Sequence, residues 1–267
     1  MTIYELHNHL YNTLCIIDDI CQENNVRYFL DSGTEIGSVR EKDFIPWDDD
    51  MDIKVLLEDY PAFKKAMEKN LPPYMHLIEP NAFSPAFYDF TIRIYDERYH
   101  LREETEEDRY YNNYQNYIGT DVFIYAKAPD NKLAQKFLLF RTKILYGLGM
   151  AHRYAIKKEK YTFLQKMQVL LLSSIGKYFS VNQICKIFFR LCSKWQSQNT
   201  KYYFPINYTY TGNYSRMFDR KIFESTVYGI IRGRKFPIPG GFDQELRQQY
   251  GNYQEPPKDN SIYIKHL

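Results

Sequence analysis

No stretch of this chain approaches the ~20 consecutive apolar residues that a membrane-spanning helix needs. The longest candidate, Val169 to Ser174, is far too short. The start, MTIYELHNHLYNTL, has no basic segment followed by an apolar run, so no secretory signal is expected. Cysteine is scarce. Cys15, Cys21, Cys185 and Cys192 form no CxxC pair and no Cys/His zinc spacing. Each lies in a helix-like apolar pattern, which predicts free buried thiols in a reducing compartment. No internal repeat, low-complexity tract or recognised nucleic-acid motif stands out, and nucleic acid is not an expected partner. These absences predict a cytoplasmic protein, peripheral at the inner face of the membrane where it touches one at all.

What is present is apolar and aromatic. The 267 residues are 44% hydrophobic, ample for a core, and 26 of them are tyrosine. The net charge of +2 conceals an uneven distribution. Residues 132–201 hold 14 Lys or Arg and a single acid, Glu159. The remainder is acidic, so a basic segment sits in an otherwise acidic protein.

The chain is organised around Tyr28 to Leu57, YFLDSGTEIGSVREKDFIPWDDDMDIKVLL. A strand-like run, Tyr28-Phe29-Leu30, ends at Asp31-Ser32-Gly33-Thr34. Glycine there predicts a sharp turn and close approach of backbone to a ligand. A short helix is expected from Thr34 to Arg40, and its first N–H groups lack helical acceptors, which makes a phosphate site. Pro46 marks Phe44-Ile45-Pro46-Trp47 as a loop. The next strand begins in Asp48-Asp49-Asp50 and continues Met51-Asp52-Ile53-Lys54-Val55-Leu56. Alternation points Asp50 and Asp52 to one face and Met51 and Ile53 to the other, into the core. Adjacent same-face carboxylates repel, and burial worsens this by raising their pKa. A bound divalent cation removes the repulsion. An oxygen-only donor set favours Mg²⁺ or Mn²⁺ over zinc. The plain alternative for an aspartate run is a solvated loop or turn. Alternation with large apolar residues, soon after a glycine turn, speaks for the metal.

These residues carry a family resemblance. Gly33-Thr34, Gly37-Ser38-Val39-Arg40 and Phe44-Ile45-Pro46-Trp47-Asp48-Asp49-Asp50-Met51-Asp52-Ile53 resemble the signature of the LicD family, the phosphorylcholine transferases and their fukutin-related relatives. The chain departs from the family pattern at Glu35 and Ile36, where Leu-Leu is usual, and at Asp43, where Gly is usual. Glu35 adds an acid near the expected phosphate site. The resemblance implies a nucleotidyltransferase-type fold. It also implies a donor such as CDP-choline or a CDP-alditol, whose phospho-alcohol group moves to a sugar hydroxyl with release of CMP.

Along the rest of the chain, Ile3, Leu6, Leu10, Leu14, Ile17 and Ile20/Cys21 recur at helical steps and predict a first helix ending near Asn24-Asn25. His7 and His9 on it read as ordinary surface or packed residues. A second helix is expected from Asp59 to Pro61 onward, with Phe63, Ala66 and Met67 on one face, stopped by Pro72-Pro73. Tyr88 to Tyr95 alternates as a strand, on which Arg93 either meets a donor phosphate bidentately or is an exposed strand arginine. Glu97 to Tyr117 reads as a long loop or charged helix. Its Tyr110, Tyr111, Tyr114 and Tyr117 offer a cage for a trimethylammonium group, against the plainer alternative of packing.

Ile118 to Tyr125 reads as a buried strand in which Asp121 needs a partner. Thr120-Asp121-Val122-Phe123 matches the strand that carries a third carboxylate in LicD-like proteins. Residues 132–201 read as helical, with apolar stripes Phe137/Phe140/Ile144/Leu148, Phe163/Met167/Leu170/Leu171 and Ile184/Ile187/Phe188/Leu191. Basic amphipathic helices suit an anionic membrane surface, or else pack on the core. A hairpin over Thr226–Ile231 and Lys235–Ile238, turning at Arg232-Gly233, and a helix around Phe242 to Tyr250 follow. The order Pro237-Ile238-Pro239, Tyr250-Gly251-Asn252-Tyr253, Pro256-Pro257 also resembles the LicD C-terminal end.

The combined expectation is a single α+β domain over residues 1–267, a nucleotidyltransferase-like mixed sheet flanked by helices, with a basic helical insertion at 132–201. The expected reaction is metal-dependent transfer of phosphocholine or a phospho-alditol from a CDP-activated donor to a sugar hydroxyl of a cell-surface glycan or its lipid-linked precursor. Asp50, Asp52 and Asp121 are the candidate catalytic residues. Asp48, with the same parity as Asp50, joins them as a candidate ligand of Mg²⁺ or Mn²⁺. Ser32, Gly33, Thr34, Arg40, Lys42 and Arg93 are the candidate donor-binding residues. Nucleotidyl transfer on the same fold, and a non-enzymatic membrane- or glycan-binding protein, are the alternatives.

Overall fold

The structure is a computed structural model that describes residues 1–156, 161–211 and 216–256. Glu159 and Pro257 of the sequence reading lie outside the described residues. A mixed sheet forms the centre. Strands β1 (Phe29–Leu30), β2 (Asp52–Leu56), β3 (Met75–Ile78), β4 (Ile92–His100) and β5 (Tyr117–Ala128) take the order β1-β2-β5-β4-β3. Two further strands, β6 (Tyr202–Pro205) and β7 (Phe218–Asp219), extend it from the far end of β5. The pair β2·β5 is parallel and the other pairings are antiparallel. The α+β expectation holds.

β5 is the hub. Its residues 121–125 pair with β2, 117–122 with β4 and 125–128 with β6. Asn207, just after β6, ties β5 to the segment that leads into β4. Its side chain accepts from Ile124 N–H and donates to Phe90 O, satisfying backbone groups that no strand reaches. β2 is buried along its whole length, as expected for a strand covered on both faces.

Helix α1 (Ile3–Glu23) starts in a Thr2/Glu5 capping box and buries Leu6, Leu10, Leu14 and Ile17, the expected stripe. Helix α2 (Ser32–Arg40), capped by Asp31, starts two residues before the expected Thr34. Helix α3 (Tyr60–Asn70) buries Phe63, Ala66 and Met67 and stops before Pro72. The expected strand at Tyr88–Tyr95 is displaced. Tyr88 to Phe90 precede the sheet, because the backbone of Phe90 is taken by Asn207, and the strand runs on to His100. A capping box at Thr105/Asp108 starts the short α4 (Glu106–Tyr110) in the polar segment.

Between β5 and β6 the chain makes a helical excursion: α5 (Lys132–Gly149), α6 (Phe163–Gly176) and α7 (Val181–Cys192). Only α7 buries most of its expected stripe, through Ile184, Phe188 and Leu191, while Ile187 is exposed. In α5 the expected stripe is rotated outward. Phe137 and Phe140 are exposed, while Leu138, Thr142 and Leu145 face inward, where Gly147 and Gly149 admit Leu172 and Phe87. In α6 the expected stripe is wholly outward, and Ser173 and Gly176 are its buried residues. The cysteines are free, as expected; Cys21, Cys185 and Cys192 are buried, while Cys15 is half-buried.

The hairpin β8 (Thr226–Ile231) and β9 (Arg234–Pro239) forms as expected, with Arg232 and Gly233 both at positive φ, the geometry that suits a two-residue hairpin turn. Helix α8 (Phe242–Tyr250) closes the fold against α2.

Candidate active site

The site grows from strand register. Asp52 is the parallel partner of Asp121, and Asp121 is the antiparallel partner of Arg93. Side chains of register partners share a face, so β2, β5 and β4 present Asp52, Asp121 and Arg93 as a row. Arg93 donates to Asp121 Oδ1 at 2.7 Å and to Tyr117 O at 3.2 Å. The loop before β2 brings Asp48, Asp49 and Asp50 together, with one carboxylate oxygen of each within 4.8 Å of the others. The three sequence-derived catalytic aspartates and the fourth candidate ligand are therefore neighbours.

Electrostatics mark Asp52. Burial, and then the charges of Asp50, Asp121, Asp31 and Asp48, push its carboxyl well above the ordinary range. An all-oxygen set with so little neutralising charge fits a hard divalent cation such as Mg²⁺ or Mn²⁺. By contrast, the carboxylate triad Asp31, Glu35 and Glu245 already holds a cation of its own. Lys54 Nζ sits among them at 3.1, 2.7 and 2.6 Å, with every side chain buried. Glu35 is thus a buried internal anchor, committed to Lys54.

The backbone around the row is tied down locally. Thr34 Oγ1 accepts from Asp52 N–H at 2.9 Å, and Asp52 O accepts from Asp31 N–H. Asp31 caps α2 by accepting from Ser32 N–H. The residue at positive φ is Ser32, whereas the sequence reading expected Gly33 to make the turn. Gly33 has another reason to lack a side chain: a Cβ there would overlap Asp48 Oδ2. His7 on α1 is buried, stacks on Phe44 and bonds the Asp48 carbonyl at 2.7 Å. Burial holds its pKa down, so the imidazole is neutral and donates from Nε2 to that carbonyl.

Two cavities meet at Asp50. The larger, about 300 Å³, is lined by the polar residues Ser32, Arg40, Asp48 and Asp52, by Gly33 and by the aromatic residues Trp47, Tyr208, Tyr250 and Tyr253, among others. Ser32 Oγ and one guanidinium nitrogen of Arg40 are buried without a hydrogen bond, while the other Arg40 nitrogens are held by Glu41 and Tyr253 O. Arg216 stacks on Tyr208 at 3.8 Å. The smaller cavity, about 120 Å³, is lined by Asp49, Asp50, Asp89, Asp121, Arg93 and Tyr88, among others.

The donor-binding candidates divide between these places. Ser32, Gly33 and Arg40 line the larger cavity, and Arg93 lines the smaller. Thr34 lies beneath the larger one as a backbone anchor. Lys42 lines neither; it is exposed, with its ammonium on Val39 O. The four tyrosines make no open cage. Tyr111 and Tyr114 are buried against each other and Tyr88, and Tyr117 stacks on Tyr95. Sequence reasoning missed His7, Asp89, Tyr208, Arg216 and Tyr250, which come from distant segments. Only Tyr250 carried a signal, the YG-x-Y run.

Comparison with known proteins places the chain in a family. Along its full length the chain is 22% identical, over 274 aligned positions, to the lipopolysaccharide cholinephosphotransferase LicD of Haemophilus influenzae, covering 97% of that protein. A Rickettsia prowazekii protein, uncharacterized protein RP689, is 26% identical over 124 residues, 46% of this chain and 41% of that one. The family model LicD/FKTN/FKRP, nucleotidyltransferase domain, matches residues 25–168, which contain the whole aspartate row, and the chain belongs to the LicD family.

Proposed function

We propose that the protein transfers a phospho-alcohol group, phosphocholine first among the candidates, from a CDP-activated donor to a sugar hydroxyl of a cell-surface glycan or its lipid-linked precursor, with release of CMP. The observation that carries this reading is the meeting of two cavities at Asp50, with the Asp52–Asp121 row at their junction. The full-length similarity to a cholinephosphotransferase supports the choice of group.

The larger cavity suits the donor. Its aromatic wall of Trp47, Tyr208 and Tyr250 offers faces for a cytosine base. Ser32 Oγ, the first-turn N–H groups of α2 and the spare Arg40 nitrogen offer donors to the phosphates. Asp48, Asp50, Asp52 and Asp121 would hold the divalent cation, which neutralises the phosphates and the departing CMP when bound. The smaller cavity suits the acceptor hydroxyl. Asp121, fixed by Arg93, accepts its proton as the hydroxyl oxygen attacks the phosphorus that bears the alcohol. The P–O bond to CMP breaks, and CMP carries the electron pair away.

The test is incubation with Mg²⁺, a sugar acceptor and CDP-choline, CDP-ribitol or CDP-glycerol in turn, read by product mass and by thermal shift. A donor present at a hundredfold excess over Kd raises stability by about 2.7 kcal/mol. Mass gain of one phospho-alcohol, lost in Asp50→Ala, supports the reading. A nucleotide left on the product, or a shift with CTP or ATP alone, moves it to nucleotidyl transfer.

A further inference from the structure

The helical excursion is built inside out. α6 packs on α5 through small residues, with Gly147 against Leu172 and Gly176 against Leu148 O and Ala151. Its large side chains face solvent instead. Phe163 is 76% exposed, Leu164 72% and Leu171 63%, with Met167, Leu170 and Ile175 beside them. α5 adds Leu133, Phe137 and Phe140 from its outward face. Of the 19 large apolar side chains exposed among the described residues, 13 lie between Leu133 and Ile187. Soluble surfaces rarely gather apolar residues this way.

The charges of the same segment say what covers it. Lys132, Lys136, Arg141 and Lys143 on α5 and Lys166 on α6 share these helices with the apolar residues, and the segment 132–201 has one acid against 14 basic residues. Apolar side chains set among cations fit the interface of a bilayer with anionic headgroups. A second copy of this chain is disfavoured, because a two-fold contact would set the same cations against each other. No described helix is long and apolar enough to cross a membrane, so the contact lies in the interfacial plane.

We infer that α5 and α6 dock the protein on the surface of an anionic lipid bilayer. The docking element is connected to the site. Arg153, just after α5, donates to the carbonyl of Tyr88, and Tyr88 lines the smaller cavity. An acceptor carried on a lipid would reach that cavity from the same membrane. The inference does not depend on which group is transferred.

The experiment is flotation of the full chain with vesicles of phosphatidylcholine alone and with 30% phosphatidylglycerol. The expected result is at least tenfold greater binding to the anionic vesicles, weakening with salt. Leu164→Ser/Leu171→Ser, both at exposed positions, is expected to lose binding at every salt concentration with an unchanged melting temperature. Lys136→Glu/Lys166→Glu is expected to lose the anionic preference. Equal binding of the serine variant and the parent, or no binding of the parent to either vesicle, overturns the proposal. A parent that ignores vesicles and forms a dimer that the serine variant dissolves assigns the face to a second copy instead.

Discussion

Asp52 and Asp121 stand opposite each other on the parallel strands β2 and β5, and the charges that act most on Asp52 are those of other aspartates. Asp121 has Arg93 on its far side. Asp52 has only further aspartates as its strongest electrostatic neighbours, with Asp50 and Asp121 foremost. Two parallel strands with short side chains force this proximity, and the fold tolerates it because a proton or a cation intervenes.

A pH dependence follows from that relationship. Asp52 has a raised carboxyl pKa in the folded, cation-free protein, so the folded state binds a proton that the unfolded state releases above the ordinary carboxylate value. Its stability contribution is therefore full at acid pH and is lost as pH rises through the raised value. Mg²⁺ binds the ionised form and displaces the proton. The expected thermal shift on adding Mg²⁺ is small near pH 5 and grows toward pH 8. Asp52→Asn should abolish the Mg²⁺ shift, flatten the cation-free curve and lower kcat by about 100-fold or more, given that even outer-shell partners of metal ligands cost 10–100-fold. A Mg²⁺ shift that is the same at both pH values, or that survives in Asp52→Asn, would exclude Asp52 as a ligand.

Gly33 makes a second case. A methyl group there would overlap the Asp48 carboxylate, in a loop whose position His7 also fixes through the Asp48 carbonyl. Gly33→Ala is expected to displace Asp48, raise the donor KM about tenfold and weaken Mg²⁺ binding, with only a modest effect on the melting temperature of the cation-free protein. His7→Phe should resemble it, because the ring stack on Phe44 survives but the hydrogen bond to Asp48 does not. Isothermal titration with Mg²⁺ and steady-state kinetics read both. Unchanged Mg²⁺ affinity in Gly33→Ala would mean that Asp48 lies outside the ligand set.

The aspartates are legible in the sequence by two different signals. Their alternation with apolar residues marks Asp50 and Asp52, although the strand itself starts only at Asp52 and Asp50 stays in the loop before it, and the family resemblance of the Thr120-Asp121-Val122-Phe123 run marks the third carboxylate. The register that sets Asp52 beside Asp121 is a long-range fact, and it came only with the sheet. Strand parity alone does not say which cavity Arg93 enters; the structure shows it lining the smaller one. For α5 and α6 the helical period shows which residues share a face, but not whether that face meets protein or another apolar phase, so both alternatives stand at the level of sequence. Glycines 147 and 176, which let the small face pack inward, carried the discriminating information.

Lys54 offers a stability test away from the chemistry. Its ammonium is buried among Asp31, Glu35 and Glu245, and burial raises the carboxyl pKa of both glutamates. Removing the cation leaves three buried acids facing one another across α2, β2 and α8. Lys54→Met is expected to destabilise the protein by about 3–5 kcal/mol. Adding Glu35→Gln and Glu245→Gln should restore a large part of this by removing the stranded charges. Urea unfolding of the single and triple variants measures both. A single variant within about 1 kcal/mol of the parent would mean that the acids protonate at little cost.

Arg93 separates the two cavities kinetically. Its guanidinium holds Asp121 Oδ1 and Tyr117 O, and it lines the smaller cavity but not the larger. If the larger cavity takes the donor, Arg93 acts on the acceptor side and on the orientation of Asp121. Arg93→Ala should then lower kcat by about 10–100-fold, as for other groups that orient a catalytic residue, while leaving the donor KM within about twofold. Arg93→Lys keeps the charge but loses the fork that reaches both acceptors, so it should recover only part of the rate. The measurement is initial rate against donor concentration at saturating acceptor. A rise in donor KM with kcat unchanged would place Arg93 on the donor phosphate, and the roles of the two cavities would have to be exchanged.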